Sequence, residues 1–407
     1  MIATISAPQK PIRATINLPA SKSLSNRALI IRALSEKKFE IENLAEAEDT
    51  KILLNAIYSA GKTIDVGAAG TAMRFLTAYF AVSEGEKILT GTERMKQRPI
   101  APLVDALKTL GANIEYLEKT GFPPIKINGK RLAKNEVEVD GTISSQFLSA
   151  LLMIAPVLPN GLKIKVKGNL VSKPYAEMTI SMMQHSGITV SWKEDTIEIP
   201  NQKYIPQVYK VEPDWSAAAF WYSVVALSKD SEIKLPGLQK NSLQGDSVLH
   251  ELMKYFGVET TFANNGAVIR GSQSSTPNSQ LVIDFTNYPD LAQSLTVLTG
   301  ALDIKIKSTG IETLKIKETD RIRALQTELK KFGKEFIKEE DYYTFKGQFK
   351  KSEQTIETYD DHRMVMAFAP LALVCGSISL QNPETVRKSY PGFWEDLKTS
   401  GYNYFNK

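Results

Sequence analysis

Six copies of one pattern run along this 407-residue chain, and that repetition limits its architecture more than any other feature. Each copy begins with a short polar or small-residue opening that leads into an apolar helical run. The openings are Ser21-Lys22-Ser23, Gly70-Thr71-Ala72, Ser144-Ser145-Gln146, Asp214-Trp215-Ser216, Asp290-Leu291-Ala292 and Asp361-His362-Arg363. Behind each run lies a second, amphipathic segment that ends at a glycine: Gly61, Gly111, Gly187, Gly257, Gly333 and Gly401. These glycines recur at intervals of roughly seventy residues, the first interval being nearer fifty. Glycine suits the left-handed residue that closes many helices. Leu107–Gly111, Met183–Gly187, Met253–Gly257 and Leu329–Gly333 read as variants of one helix ending.

Short β-rich pieces fill the gaps: Leu162–Val166, Ile188–Trp192, Thr196–Ile199, Ile233–Leu235, Val258–Phe262 and Ala267–Arg270. Each copy therefore reads as β-α-β-α-β-β, which makes the fold class α/β. The first helix of a copy is apolar all round and should be buried; the second should face solvent on one side. The short first interval predicts that the first copy lacks a hairpin. Six copies divide into two domains of three, residues 21–212 and residues 1–20 plus 213–407, with an active-site cleft between them. The first strand, within Ile2–Ile16, is expected to join the C-terminal half. Two connections between domains predict hinge closure around a ligand.

Composition narrows the chemistry. One cysteine, Cys375, excludes an internal disulfide framework and a Cys-cluster zinc site. Its apolar surroundings predict a core position rather than a nucleophile. Three histidines leave little room for a His-rich metal centre, so no metal or cofactor is expected. The net charge of +5 is mild and unclustered, which argues against a nucleic-acid partner. The longest apolar runs, Ala150–Leu158 and Met364–Cys375, fall short of the roughly 18 residues of a membrane span. No secretory signal pattern opens the chain, so a cytoplasmic monomer acting on small molecules is expected.

The unusual polar residues collect where the apolar helices start. Unpaired N–H groups and the positive dipole end make such starts favourable to anions. Three further polar segments fit the same picture: Arg94–Pro99, Lys317–Arg321 and Lys388–Gly392. Lys317 and Arg321, four apart, can share a helix face. Taken singly, a basic turn is ordinary solvated surface, and a serine before a helix is an ordinary cap. The ordered set is what carries weight.

That ordered set resembles the EPSP synthase (3-phosphoshikimate 1-carboxyvinyltransferase) family from about Ser21 to Trp394. The matching pieces are Ser21-Lys22-Ser23 with Arg27, Gly70–Arg74, Arg94–Ile100, Ser144–Phe147, Ser172–Tyr175, Pro289-Asp290, Lys317–Arg321, Asp361–Met364 and Lys388–Pro391. The resemblance implies an inside-out α/β barrel built from two domains of three βαβαββ units. It also implies transfer of the enolpyruvyl group of phosphoenolpyruvate to the 5-hydroxyl of shikimate 3-phosphate, a step of the shikimate pathway. By the matching motifs, Lys22, Gly70, Arg98, Gln146, Arg321, Arg363 and Lys388 would contact phosphoenolpyruvate. Likewise Lys22, Ser23, Arg27, Ser144, Ser145, Gln146, Ser172, Tyr175, Asp290 and Lys317 would hold shikimate 3-phosphate. Asp290 would be the base on the hydroxyl and Glu318 the acid toward the methylene carbon. Lys22 and Lys317 would stabilise developing charge.

The residue types suit those substrates, which together bring roughly −5 to −6 charges at neutral pH. Ala68, Phe75 and Thr313 depart from the family pattern and bear on pocket tuning rather than reaction class. Two alternatives remain. One is enolpyruvyl transfer to a UDP-amino sugar, which would ordinarily use a loop cysteine. The other is an inactive anion-binding homologue, against which the intact acids and cations argue.

Overall fold

The computed structural model describes residues 1–142, 144–228, 230–272 and 280–406. The chain divides into two compact units, Ser21–Val211 and Met1–Ala20 with Glu212–Lys407. At the crossings Ala20 bridges Pro213, and Asp214 N donates to Pro19 O at 2.8 Å.

The Ser21–Val211 unit carries α1 (Lys22–Leu34), α2 (Glu48–Ile57), α3 (Gly70–Val82), α4 (Ala101–Thr109), α5 (Ser145–Ile154) and α6 (Lys173–His185). The first helices of its three copies, α1, α3 and α5, pack against one another. Burial explains their composition: Phe147 to Ile154 of α5 is buried without interruption, and its single polar side chain, Ser149, is hydrogen-bonded inside the unit. Sheets cover this core. In the strand Leu162–Lys167 the buried positions Leu162, Ile164 and Val166 alternate with exposed Lys163, Lys165 and Lys167, the two-residue period of a sheet with one wet face.

The other unit carries α7 (Trp215–Leu227), α8 (Leu249–Leu252), α9 (Ala292–Ala301), α10 (Arg321–Lys330), α11 (His362–Phe368), α12 (Ala372–Cys375) and α13 (Phe393–Thr399). Here α7, α9 and α11 form the packed triad. The N-terminal strand Ile2–Ser6 pairs antiparallel with Ser377–Gln381 and with Asn403–Asn406. Arg13–Thr15 runs parallel to Glu232–Pro236.

Among the described residues four sheets have four strands, and each joins one parallel pair to two antiparallel pairs. That is the pattern a βαβαββ copy produces: the crossover helix makes the parallel pair and the hairpin the antiparallel ones. The first copy has only the two-stranded pair Ile41–Glu42 and Tyr209–Lys210. The last has a three-stranded sheet, with Ile356 added as a single parallel bridge to Leu380.

Several expectations need correction. Gly61 does not close its helix in a left-handed conformation, whereas Gly111, Gly187, Gly257, Gly333 and Gly401 all have positive φ. α2 ends at Ile57, and the Gly61 N–H bonds the Ser59 hydroxyl at 3.2 Å instead. The strand expected at Ile188–Trp192 is Ser191–Lys193. The Ile188 N–H is used by the carbonyl of Met183 in the turn that closes α6. The amphipathic helix of the fourth copy is only α8, flanked by 3-10 turns Gly245–Val248 and Met253–Phe256. There the His250 Nδ1–H takes the Ser247 carbonyl at 2.6 Å, competing with the helical ladder. Cys375 is half-buried at the end of α12 rather than in the core, and burial pushes its thiol up from the ordinary value.

Candidate active site

Helix openings gather polar side chains in both units, but the two triads are capped differently. In the Ser21–Val211 unit the caps of α1, α3 and α5 are Ser21, Ala69 and Ser144, all neutral. Their positive ends are therefore left without a compensating carboxylate cap. In the other unit the caps of α7 and α11 are Asp214 and Asp361, and Asp290 lies in the 3-10 turn Pro289–Leu291 that leads into α9.

In the Ser21–Val211 unit the openings are tied together by side chains. Gln146 Nε2 donates to Thr71 Oγ1 at 3.3 Å, linking the first turns of α5 and α3. Arg27 of α1 donates to Thr179 Oγ1 at 2.7 Å, Ser149 Oγ at 3.0 Å, the Tyr175 carbonyl at 3.3 Å and the Ser23 carbonyl at 2.9 Å. Its guanidinium lies 5.3 Å from the Phe75 ring centroid and 5.8 Å from that of Tyr175. Phe75, a departure from the family pattern, is thus part of this arginine's seat. Arg27 is 2 % exposed, and no carboxylate lies within ion-pair distance of it among the described residues. Burial pushes its guanidinium down to about 10, against smaller upward contributions from Tyr175 and Tyr209. A buried cation held only by neutral acceptors and aromatic faces favours an incoming anion.

Lys22 Nζ pairs with Asp49 Oδ2 at 2.9 Å. Arg98, buried, sits against the first residue of α3. A Cβ built on Gly70 would lie 2.6 Å from both Arg98 Nη1 and Nη2, so only glycine lets this guanidinium reach the helix start. Arg74 steadies that contact by donating to the Pro99 carbonyl at 2.9 Å and the Gly70 carbonyl at 3.3 Å. Ser144 Oγ accepts from Gln146 N at 3.3 Å, and Ser145 is buried. Ser172 caps α6 with φ 57°, a left-handed conformation uncommon for serine that places local strain at a predicted ligand contact.

The other unit holds the acids. Arg321, 1 % exposed, is their hub. Its Nε donates to Asp361 Oδ2 at 2.7 Å, its Nη2 lies 2.9 Å from Glu318 Oε2, and its Nη1 lies 3.7 Å from Asp290 Oδ1. Burial pulls its proton affinity down, but the charges of Asp361, Glu318 and Asp290 outweigh that and raise it. Arg363 closes on Asp290 from the other side, Nη2 to Oδ2 at 2.9 Å, and also donates to the Asp290 carbonyl at 2.9 Å. Lys388 Nζ lies 3.2 Å from Glu318 Oε1. Crowding by protein alone would push the Asp290 carboxyl up; the cations Arg363, Lys317 and Arg321 instead hold it well below the usual carboxylate range. The Asp290 side chain keeps 21 % of its surface open.

Of the residues predicted from sequence, Asp290, Lys317, Glu318, Arg321, Arg363 and Lys388 thus form one electrostatic cluster. Lys22, Ser23, Gly70, Arg98, Ser144, Ser145, Gln146, Ser172, Tyr175 and Arg27 all belong to the other unit. Direct contacts there link Arg27 to Ser23 and Tyr175, Arg98 to Gly70, and Ser144 to Gln146. Sequence reasoning gave no role to the supporting residues Asp49, Ser149, Thr179 and Asp361, although it singled out Asp361 as a helix opening. Ser149 had a visible signal, a lone hydroxyl inside an apolar helix. Asp361 had one too, standing directly before His362 and Arg363. The described residues hold no group of three or more His, Cys, Asp and Glu side chains placed to bind a metal.

Cation-rich helix openings in one unit and cation-bound carboxylates in the other are the equipment of an α/β enzyme that handles polyanionic substrates. The chain belongs to the EPSP synthase (3-phosphoshikimate 1-carboxyvinyltransferase) family, whose model matches residues 6–65 and 55–397. It is 46 % identical over 405 residues to a 3-phosphoshikimate 1-carboxyvinyltransferase of Bacteroides fragilis, covering 98 % of this chain and 97 % of the relative. An Aliivibrio salmonicida protein of the same name is 38 % identical over 424 residues, with 96 % and 97 % covered. A solved EPSP synthase from Acinetobacter baumannii, 21 % identical and matched over 100 % of both chains with a TM-score of 0.78, shares the fold. No helix among the described residues is long and apolar enough to cross a membrane.

Proposed function

We propose that this enzyme transfers the enolpyruvyl group of phosphoenolpyruvate to the 5-hydroxyl of shikimate 3-phosphate, releasing phosphate. The observation that carries the reading is the Arg321 hub, where one buried guanidinium holds Glu318 and lies beside Asp290. General acid–base transfer at two different atoms needs two carboxylates in different settings. Asp290, open at one edge and strongly anionic, takes the proton of the attacking hydroxyl as its oxygen bonds to C2. Glu318 delivers a proton to the C3 methylene, giving a tetrahedral intermediate that carries the phosphate. That intermediate returns a methyl proton to Glu318 as the C2–O bond to phosphate breaks.

Glu318 is held by Arg321 and Lys388, both of which favour its ionised form. Phosphoenolpyruvate carries a carboxylate and a phosphate that compete for the same cations. As Arg321, Arg363 and Lys388 turn to the substrate, their hold on the Glu318 carboxylate weakens. Substrate binding thus arms the acid.

The uncompensated Arg27 cation and the neutral-capped openings of α1, α3 and α5 suit the phosphate and carboxylate of shikimate 3-phosphate. Lys22 and Lys317 would stabilise charge developing in the transition state. On this reading the residue sets of the two units serve one pair of substrates. Small-angle scattering should then show a smaller radius of gyration with shikimate 3-phosphate present; an unchanged profile counts against it. The reading also has the enzyme working as a cytoplasmic monomer, which light scattering coupled to gel filtration tests for mass. The primary experiment is phosphate release from phosphoenolpyruvate by purified protein. Release is expected with shikimate 3-phosphate; release only with a UDP-amino sugar, or with neither acceptor, would overturn the proposal.

A further inference from the structure

Lys388 reaches Glu318 on a flexible four-carbon stem, so its aim depends on what fixes the backbone beneath it. It is the last residue of the 3-10 turn Pro383–Lys388. Aromatic side chains with no part in the mechanism above fix both ends of that turn. At its start, Trp394 Nε1–H donates to the Pro383 carbonyl at 3.0 Å. Just past its end, the Tyr390 hydroxyl donates to Asp396 Oδ2 of α13 at 2.6 Å and accepts from Trp221 Nε1–H of α7 at 3.1 Å. We propose that Tyr390 is a positioning residue whose hydroxyl, fastened to α7 and α13, holds Lys388 at Glu318 and so sets the grip on phosphoenolpyruvate. The inference rests on the roles given to Lys388 and Glu318 above.

Tyr390 is 2 % exposed and lies in a nest of rings. Its centroid is 5.5 Å from that of Phe393, which in turn meets Phe220 at 6.1 Å and Trp221 at 6.4 Å. A phenylalanine would fill that space without the cost of burying a hydroxyl. Apolar contact is non-directional and leaves a ring free to tilt, whereas two hydrogen bonds to two different helices fix where its oxygen stands. The bond to Asp396 is of the stronger, charge-assisted kind. Burial raises the phenol well above its ordinary range, so the hydroxyl keeps its proton and remains the donor.

The backbone passes this placement to Lys388. The Val386 carbonyl accepts from Tyr390 N at 2.7 Å and from Ser389 N at 3.1 Å, closing the chain over Lys388. Any shift of Tyr390 therefore moves the residue that carries the ammonium. Lys388 is itself 7 % exposed, and its Nζ stands 3.2 Å from Glu318 Oε1. A displacement of about 1 Å would take that contact out of hydrogen-bond range.

The test compares the wild type with Tyr390→Phe, Asp396→Leu and Asp396→Asn. Tyr390→Phe keeps the ring and removes only the hydroxyl. It should raise the KM for phosphoenolpyruvate about tenfold while the KM for shikimate 3-phosphate stays within about twofold. A fall in kcat with both KM values unchanged would mark Tyr390 as merely structural and overturn the inference. Asp396→Asn retains an oxygen that accepts from the phenol and should behave as wild type, whereas Asp396→Leu should reproduce the split between the two KM values. Equal KM values in those two variants overturn the inference, whether or not Tyr390→Phe folds. Acetylation of Lys388 in ligand-free protein, followed by mass spectrometry against the exposed Lys330, gives a readout independent of turnover. The rate at Lys388 should rise about tenfold in Tyr390→Phe and in Asp396→Leu as the ammonium leaves Glu318; unchanged rates overturn the inference. Wild-type protein that releases no phosphate, with the labelling difference still present, would defeat the functional reading while leaving the Tyr390 anchor in place.

Discussion

Replacing Asp361 by alanine should destabilise the unit that contains it by about 4 kcal/mol. The carboxylate is fully buried and does two jobs. It binds Arg321 at 2.7 Å and 3.3 Å, and its Oδ1 caps α11 by accepting from Arg363 N at 2.9 Å. Removing one partner of a buried ion pair ordinarily costs about 3–5 kcal/mol, because the other charge stays behind undercompensated. Arg321 keeps Glu318 at 2.9 Å, which puts the loss near the lower end, about 3 kcal/mol. Loss of the cap adds about 1 kcal/mol. Asparagine keeps the shape and an oxygen for one of those bonds, so Asp361→Asn should cost about half as much. Urea unfolding followed by tryptophan fluorescence reads this unit directly. Trp215, Trp221 and Trp394 belong to it, and only Trp192 to the other. An alanine variant within about 1 kcal/mol of wild type would refute the idea that the hub is held by this carboxylate.

Asp290→Asn and Glu318→Gln should each lower kcat by about 10²–10⁴-fold with KM values changed only a few-fold; steady-state kinetics retaining more than roughly a tenth of normal turnover in both would refute their roles. Arg27→Met should abolish thermal stabilisation by shikimate 3-phosphate while leaving the ligand-free melting temperature equal or higher, since it removes a buried charge that has no carboxylate partner. A large loss of ligand-free stability would argue against that. Gly70→Ala should raise the KM for phosphoenolpyruvate by about tenfold, because its methyl group displaces the Arg98 guanidinium 2.6 Å away; an unchanged KM would show that this guanidinium does not bind that substrate. Asp246 ionises near 4 when unfolded but near 7 in the native state, so between those values the native state holds a proton that the unfolded chain lacks. Its contribution is therefore present in full below about pH 4 and is lost as pH rises to about 7, a change of up to about 4 kcal/mol that Asp246→Asn should remove from the stability–pH curve. Denaturation at several pH values that gave wild type and variant the same curve would refute this.

The openings of the apolar helices could be read directly from the chain, at side-chain caps for α1, α5, α7 and α11, whereas α3 and α9 start without one. The hairpin missing from the first copy was legible as a shortened interval. The shortened α8 was not, because there the His250 ring takes a backbone carbonyl, and side-chain competition of that kind leaves no trace in hydrophobic periodicity. The predicted acids and cations were legible as residue types in matching motifs.

Residue types alone could not say which carboxylate is shared by which cation. Repetition and hydrophobic period by themselves determine the α/β copies, because burial of one helix and one sheet face is a local bargain struck within each copy. The pairing of Arg321 with Asp361, of Asp290 with Arg363 and of Glu318 with Lys388 arises only when copies pack side by side, whereas the close approach of Arg98 to Gly70 forms within one copy. Charge interactions act through space between segments far apart in the chain, so only the tertiary structure decides whether an aspartate is a strong anion held by three cations or a buried acid that ionises near neutrality.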